Sequence, residues 1–175
     1  MKVYENILKI LEGMGIPYEE MEHPPVKTCE DSLKYRSEYG WNGIGSKNIL
    51  FHAKGKFYLV VTTAEKEIKA RRFKREFGTK NIRFASPEEV KGITDCEIGA
   101  LPPFGYLNKQ LPIYVDEEIF EHEYFMFNPA IHTKSIRIKT EDLRKIYESV
   151  DQPVKFFLIQ EGKTEFRAAR SSPQP

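Results

Sequence analysis

Two runs rich in Ile, Leu, Val, Phe and Tyr, Lys47 to His52 and Lys56 to Thr63, stand on either side of Lys54-Gly55. Two such runs joined by a short turn with glycine read as a β-hairpin, because branched and aromatic side chains suit a pleated surface and the turn needs a positive φ. Around this hairpin strand pairs alternate with helical patterns. That alternation argues for one mixed α/β domain, α+β-like, with helices packed outside a curved, barrel-like and largely antiparallel sheet.

The helices announce themselves by period and by capping residues. Val3, Ile7, Leu8, Ile10, Leu11 and Met14 recur at three- and four-residue steps and predict an amphipathic helix ending at Gly13 to Gly15. Thr28 with Asp31 three residues on looks like a capped helix start after His23-Pro24-Pro25, and Ser86-Pro87-Glu88-Glu89 is a fuller one. Trp41 to Ser46, with two glycines, is expected to be a loop. A helix is expected over Glu65 to Phe77, with Ile68, Phe73 and Phe77 on one side, and another over Thr140 to Tyr147 with Thr140 as its cap. Further strands are expected at Ile82 to Phe84, Pro112 to Val115, Tyr124 to Phe127 and Ser135 to Ile138, with a short helix near Glu117 to Phe120. Asp95 to Asn108 holds Gly99, Pro102, Pro103 and Gly105 and cannot be regular. The main domain is expected over residues 1–153, followed by a C-terminal extension, 154–175, that carries one apolar patch and ends in a disordered Ser171-Ser172-Pro173-Gln174-Pro175 tail.

Composition narrows what such a domain can do. With 40% hydrophobic and 30% charged residues the chain has the balance of a soluble globular protein, and no apolar run approaches the roughly 18 residues of a membrane span. The opening Met1-Lys2-Val3-Tyr4-Glu5 lacks the succession of a secretory signal, so the cytoplasm is the expected location and no membrane partner is expected. Cys29 and Cys96 are too few and too far apart for a disulfide framework or a paired-cysteine zinc site. His23, His122, His132 and Asp95 show no zinc spacing either, and neither a metal nor a cofactor is expected. A net charge of +1 means that a polyanion would have to be met by a local patch, and Lys66 to Lys80 supplies one. Lys69, Arg72 and Arg75 are its candidates for contact with such a polyanion; a solvated helix face is the plainer meaning of the same run.

Three irregular segments adjoin strand ends: Gly45-Ser46-Lys47-Asn48, Gly99 to Gly105, and Phe127-Asn128-Pro129-Ala130-Ile131-His132. Loops held by a rigid sheet are where sites usually sit. Lys47 stands out, since an ammonium within an otherwise apolar strand must reach water, pair with an acid or hold an anionic ligand. The middle loop offers backbone amides between glycines, stiffened by its prolines, which suits either an oxyanion or a structural turn.

Five pieces stand in the order seen in the YbaK/prolyl-tRNA synthetase-associated editing domains: Glu22-His23-Pro24-Pro25, Gly45 to Phe51, Phe84 to Glu89, Gly99-Ala100-Leu101-Pro102-Pro103-Phe104-Gly105, and Lys134 to Ile138. The chain resembles that family from about residue 3 to 150. It is most similar to the YeaK-like branch of stand-alone deacylases in Cys96 to Phe104 and in Phe127-Asn128. The resemblance implies a barrel-like mixed sheet and a trans-editing enzyme that hydrolyses the ester of mischarged tRNA at its acceptor end, with transient association with an aminoacyl-tRNA synthetase. Lys47 corresponds to the family's essential lysine, and Gly99, Ala100, Leu101, Pro102 and Pro103 to the loop whose amides line the aminoacyl pocket. Asn48 and Asn128 fall at pocket-lining positions.

Departures from the other branches direct the choice of substrate. The prolyl synthetase domain has Gly-x-x-His in the third segment, where this chain has Asn128-Pro129-Ala130-Ile131, with His132 one place later; the cysteine-directed branch has an aromatic residue where this chain has Met21. The resemblance to the YeaK-like branch implies seryl and threonyl esters ahead of Ala- or Cys-tRNA(Pro), with Asn128 expected as the partner of the side-chain hydroxyl. His132 is a candidate general base beside a ribose hydroxyl of the substrate itself. A module that binds tRNA ends without turnover is the competing class, and salt-sensitive binding without hydrolysis is its signature.

Overall fold

A computed structural model describes residues 2–170. Helix α1 (Lys2–Gly13) buries Val3, Ile7 and Leu11, the stripe that its period predicts. Strand β1 (Glu19–Glu22) follows, then α2 (Cys29–Glu38), where the Thr28 hydroxyl accepts the Asp31 N–H at 3.1 Å. The predicted hairpin is β2 (Ile44–Ala53) and β3 (Lys56–Thr63); Lys54 and Gly55 take φ of 52° and 73°, as a turn that follows the twist of its strands requires.

The remaining elements are α3 (Lys74–Phe77), β4 (Ile82–Phe84), α4 (Pro87–Thr94), β5 (Ile113–Asp116), a 3₁₀ turn Glu117–Glu121, β6 (Tyr124–Phe127), β7 (Lys134–Lys139), α5 (Thr140–Ser149), β8 (Val154–Gln160) and β9 (Lys163–Ala168). At α4 Ser86 and Glu89 form the reciprocal cap expected of them. All strands join one sheet in the order β1-β7-β6-β2-β3-β5-β8-β9, with β4 on β2. The sheet is mixed: β2 meets β6, β3 meets β5 and β5 meets β8 in parallel, and the other pairings are antiparallel.

Successive residues of the central strands go to opposite faces, and both faces are covered. Leu59, Val61, Ile113, Val115 and Phe156 pack with α1 and with Leu143, Ile146 and Tyr147 of α5, whereas Val60, Tyr114 and Phe157 pack with Phe51, Phe73 and Phe77. This explains why the strands read as nearly continuous apolar runs.

Several expectations give way. The loop expected over Trp41 to Ser46 ends early, because Ile44 and Gly45 already pair with Phe125 and Met126. The helix expected over Glu65 to Phe77 is only a 3₁₀ turn, Ala70–Phe73, and the single turn of α3. Its first part is drawn away: the Lys66 ammonium lies 2.7 Å from the buried Asp116 carboxylate, an attraction that outweighs helix propensity there. Thr140 is the first residue of α5 and not its cap, since its hydroxyl donates to His122 O at 2.5 Å. The apolar patch after Pro153 is β8, in register with β5, so residues of the expected extension belong to the same sheet. The expected disordered tail, 171–175, lies outside the described residues.

Candidate active site

Strand β2 changes partners along one edge. Ile44 and Gly45 pair with β6 and Phe51 to Ala53 with β4, which leaves Ser46 to Ile49 without a strand on that side. A cavity of about 480 Å³ opens there, bounded by β2, by α2, and by Gly99 and Leu101. Lys47 and Asn48 lie in the gap and both line the cavity. The lysine is half-buried, and its ammonium donates to Lys66 O at 3.1 Å, so a carbonyl holds it, with the exposed Glu67 near enough to feel its charge. Asn48 Nδ2 donates to Leu101 O at 2.8 Å and ties the irregular loop to the strand; its Oδ1 is buried with no partner.

The loop behind Leu101 is fixed through its carbonyls. Tyr106 donates to Pro102 O at 2.5 Å and Tyr147 to Pro103 O at 2.7 Å, and burial pushes both phenols well above their usual pKa. Pro102 and Pro103 are buried and do not line the cavity. Nor does Ala100, whose N–H is taken by Glu97 O at 3.1 Å. Of the loop residues expected at the site, Gly99 and Leu101 alone reach it.

Asn128 stands one layer behind. Its Nδ2 donates to Lys134 O at 2.8 Å, and its Oδ1 accepts from Arg36 Nη2 and from Ser32 Oγ, each at 3.3 Å. The amide is thus held from both of its ends within the chain. His132 does not line the cavity either; its Nδ1 donates to Val26 O at 3.1 Å, since a carbonyl can only accept, and its Nε2 lies 3.9 Å from the Glu97 carboxylate. The other residues weighed as metal ligands are not gathered around it: His23 contacts Ser135, Asp95 contacts Lys91, and His122 ends the 3₁₀ turn. Of the basic candidates, Lys69 pairs with Glu67 at 3.0 Å, Arg75 is exposed and Arg72 half-exposed, and none lines the cavity.

Sequence reasoning missed Arg36, which lines the cavity from α2 and is 4% exposed. Burial lowers its pKa to about 10, and no carboxylate raises it. A signal existed: α2 has no apolar stripe, and its buried residues are Ser32 and Arg36, one helical turn apart. Reasoning also passed over Glu30 and Glu65, exposed carboxylates on the cavity's rim. No helix among the described residues is long and apolar enough to cross a membrane.

Comparison with known proteins gives the family. A multifunctional Ser/Thr-tRNA deacylase, ProXp-y, of Escherichia coli (strain K12) is 26% identical over 148 residues, which cover 82% of this chain and 87% of that one. A prolyl-tRNA editing protein, ProX, of Acetoanaerobium sticklandii is 26% identical over 153 residues, 85% of this chain and 93% of that one. A solved structure of a candidate trans-editing enzyme for prolyl-tRNA synthetase superposes with a TM-score of 0.69 at 22% identity, over 88% of this chain and 95% of that one, and so shares the fold. Residues 23–146, which include every residue lining the cavity, match the aminoacyl-tRNA editing domain, and the chain belongs to that family.

Proposed function

We propose that this protein is a trans-editing deacylase that hydrolyses the ester of mischarged tRNA, with seryl and threonyl esters as its main substrates. One observation carries the reading. In a chain of this family, Lys47, a cation bonded to a carbonyl and in no direct ion pair, shares a cavity with the stretch of β2 that lacks a strand on one side and with Gly99 and Leu101. The name of the Escherichia coli relative supports the choice of amino acids.

An aminoacyl ester is already activated, so water can attack it without a covalent intermediate. Lys47 anchors the terminal phosphate or the carbonyl side of the ester, while the amides of Gly99 and Leu101 face the acyl group. Ala100, whose amide is bonded to Glu97, supports the turn instead of donating to the substrate. The rim carboxylates Glu30 and Glu65 are available to the substrate's α-ammonium. Since His132 does not line the cavity, a ribose hydroxyl of the substrate is the group that takes the water proton.

The test is Lys47→Ala, assayed on Ser- and Thr-tRNA by the first-order loss of the aminoacyl group. Deacylation is expected to fall by about a thousandfold or more, with the melting temperature unchanged. Normal turnover by a folded Lys47→Ala protein would take the lysine out of the mechanism.

A further inference from the structure

The cavity contains a second cation to which the mechanism above gives no task. Arg36 Nε donates to Ser135 Oγ at 3.0 Å and Nη2 to Asn128 Oδ1 at 3.3 Å. Both acceptors are neutral, and each is itself held. Ser135 Oγ lies 2.8 Å from His23 Nε2, and His23 Nδ1 lies 2.9 Å from Pro24 O. Because the carbonyl can only accept, His23 carries its proton on Nδ1, and Ser135 accepts from Arg36 and donates to His23. Two segments of the family resemblance, Glu22 to Pro25 and Lys134 to Ile138, thus converge on one guanidinium.

Nη1 is bonded to no acceptor of the described chain, and Gly45 gives it room: a Cβ there would stand 3.4 Å from it. A buried guanidinium held by neutral oxygens, with the Cys29 thiol and no carboxylate as its electrostatic partner, has lost its water without gaining an ion pair. Such a group fits a ligand that brings negative charge. Aminoacyl-tRNA offers two kinds, its phosphates and the oxygen that becomes negative during hydrolysis. The phosphodiester stays strongly hydrated and belongs with the strand at the mouth, whereas the ester oxygen follows the acyl group inward.

We propose, on the deacylase reading above, that Arg36 is a catalytic residue whose Nη1 receives the oxyanion formed when water adds to the ester carbonyl. The water oxygen bonds to the carbonyl carbon and the C=O π pair moves onto oxygen, beside Arg36. The water proton passes through the substrate's vicinal hydroxyl. When the oxyanion pair re-forms C=O, the bond to the ribose oxygen breaks and that oxygen takes the proton, which releases free amino acid and a tRNA hydroxyl end. His23, Ser135 and Asn128 are positioning residues that fix the angle of the guanidinium.

The experiment compares wild type with Arg36→Met and Arg36→Lys in the full chain, each checked for folding by its melting temperature. Deacylation of Ser-tRNA is read together with binding of three adenosine analogues: a seryl amide, its tetrahedral phosphonate, and the same amide bearing a 5′-phosphate. In Arg36→Met, kcat is expected to fall about a hundred- to a thousandfold with KM within about threefold. Phosphonate affinity should fall by a like factor, both amides should bind as before, and Arg36→Lys should recover part of the phosphonate binding. Equal weakening of amide and phosphonate would reduce Arg36 to a structural role; a loss confined to the 5′-phosphorylated amide would make it a phosphate reader; an unchanged kcat would remove it altogether. Each of these overturns the proposal while an active wild type leaves the deacylase reading standing. A wild type that hydrolyses no mischarged tRNA overturns the reading beneath it.

Discussion

Two regions of the molecule hold cations in opposite ways. In the segment from Lys66 to Lys80, Lys66 sits against Asp116 and Glu118, and Lys69 against Glu67. Around the cavity, Lys47 is held by a carbonyl and Arg36 by a hydroxyl and an amide oxygen. A cation with its own acid is satisfied before any ligand arrives, while one held by neutral oxygens keeps its field for the ligand. Density of charge along a sequence therefore points to the first region, and cations bonded to neutral oxygens instead of to an acid point to the second.

The comparison is broken most forcibly at its paired end. Asp116 is fully buried and accepts from Lys66 Nζ and Thr62 Oγ1, both at 2.7 Å, and from Glu118 N at 3.0 Å. Asp116→Ala leaves the hydroxyl unsatisfied and the ammonium without its buried partner. A loss of about 3 kcal/mol in urea unfolding is expected, the low end of the range for a broken buried pair because Lys66 keeps some access to water. Burial lowers the pKa of Lys66, but its bonds to Asp116 and Glu118 outweigh that and raise it above the ordinary 10.5. The pair's contribution is therefore complete at neutral pH and is lost as pH rises through the raised value, and this alkaline loss should shrink in the variant. Since Lys66 O also holds Lys47, deacylation should fall too. A variant as stable as wild type would mean that the pair does not organise this segment.

A smaller effect sharpens the other end. Asn128→Ala and Ser135→Ala each remove one support of Arg36, and each is expected to lower kcat roughly tenfold through misplacement. The ranking of Ser-, Thr- and Ala-tRNA should not change, because neither side chain lines the cavity. A reordered ranking in Asn128→Ala would restore that residue to direct contact with the substrate's hydroxyl.

What was legible in the sequence divides along the same line. The hairpin, α1 and the Ser86 cap were readable because each depends on neighbours in sequence: a period, a turn, a reciprocal bond across three residues. Lys47 was readable because a charge interrupts an apolar strand. Arg36 was not, since among Glu30, Asp31, Lys34 and Glu38 one more charge carries no contrast, and its supports lie more than ninety residues away. The failed helix over Glu65 to Phe77 has the same cause, as the partner that claims Lys66 lies fifty residues on. The fates of Asn128, Pro102 and Pro103 show a further limit: a family motif places residues near a site, but a resemblance does not say which of them face the substrate and which hold those that do.

The smallest expected effect tests whether the basic segment matters at all. Replacing Lys69, Arg72 and Arg75 together by alanine removes one cation already paired with Glu67, one half-exposed and one exposed. If they meet tRNA, they do so as phosphate contacts that carry no information about the amino acid. Affinity for Ser-, Thr- and Ala-tRNA should then fall uniformly, by roughly three- to tenfold near 0.1 M salt, and the slope of log K against log salt should flatten by about one to two. The slope should flatten by less than the three removed charges, because Glu67 already offsets one of them. Loss of binding outright would place the main tRNA contact in the segment where Lys66 and Lys69 have acids of their own, and the contrast between the two regions would no longer separate functional charge from structural charge.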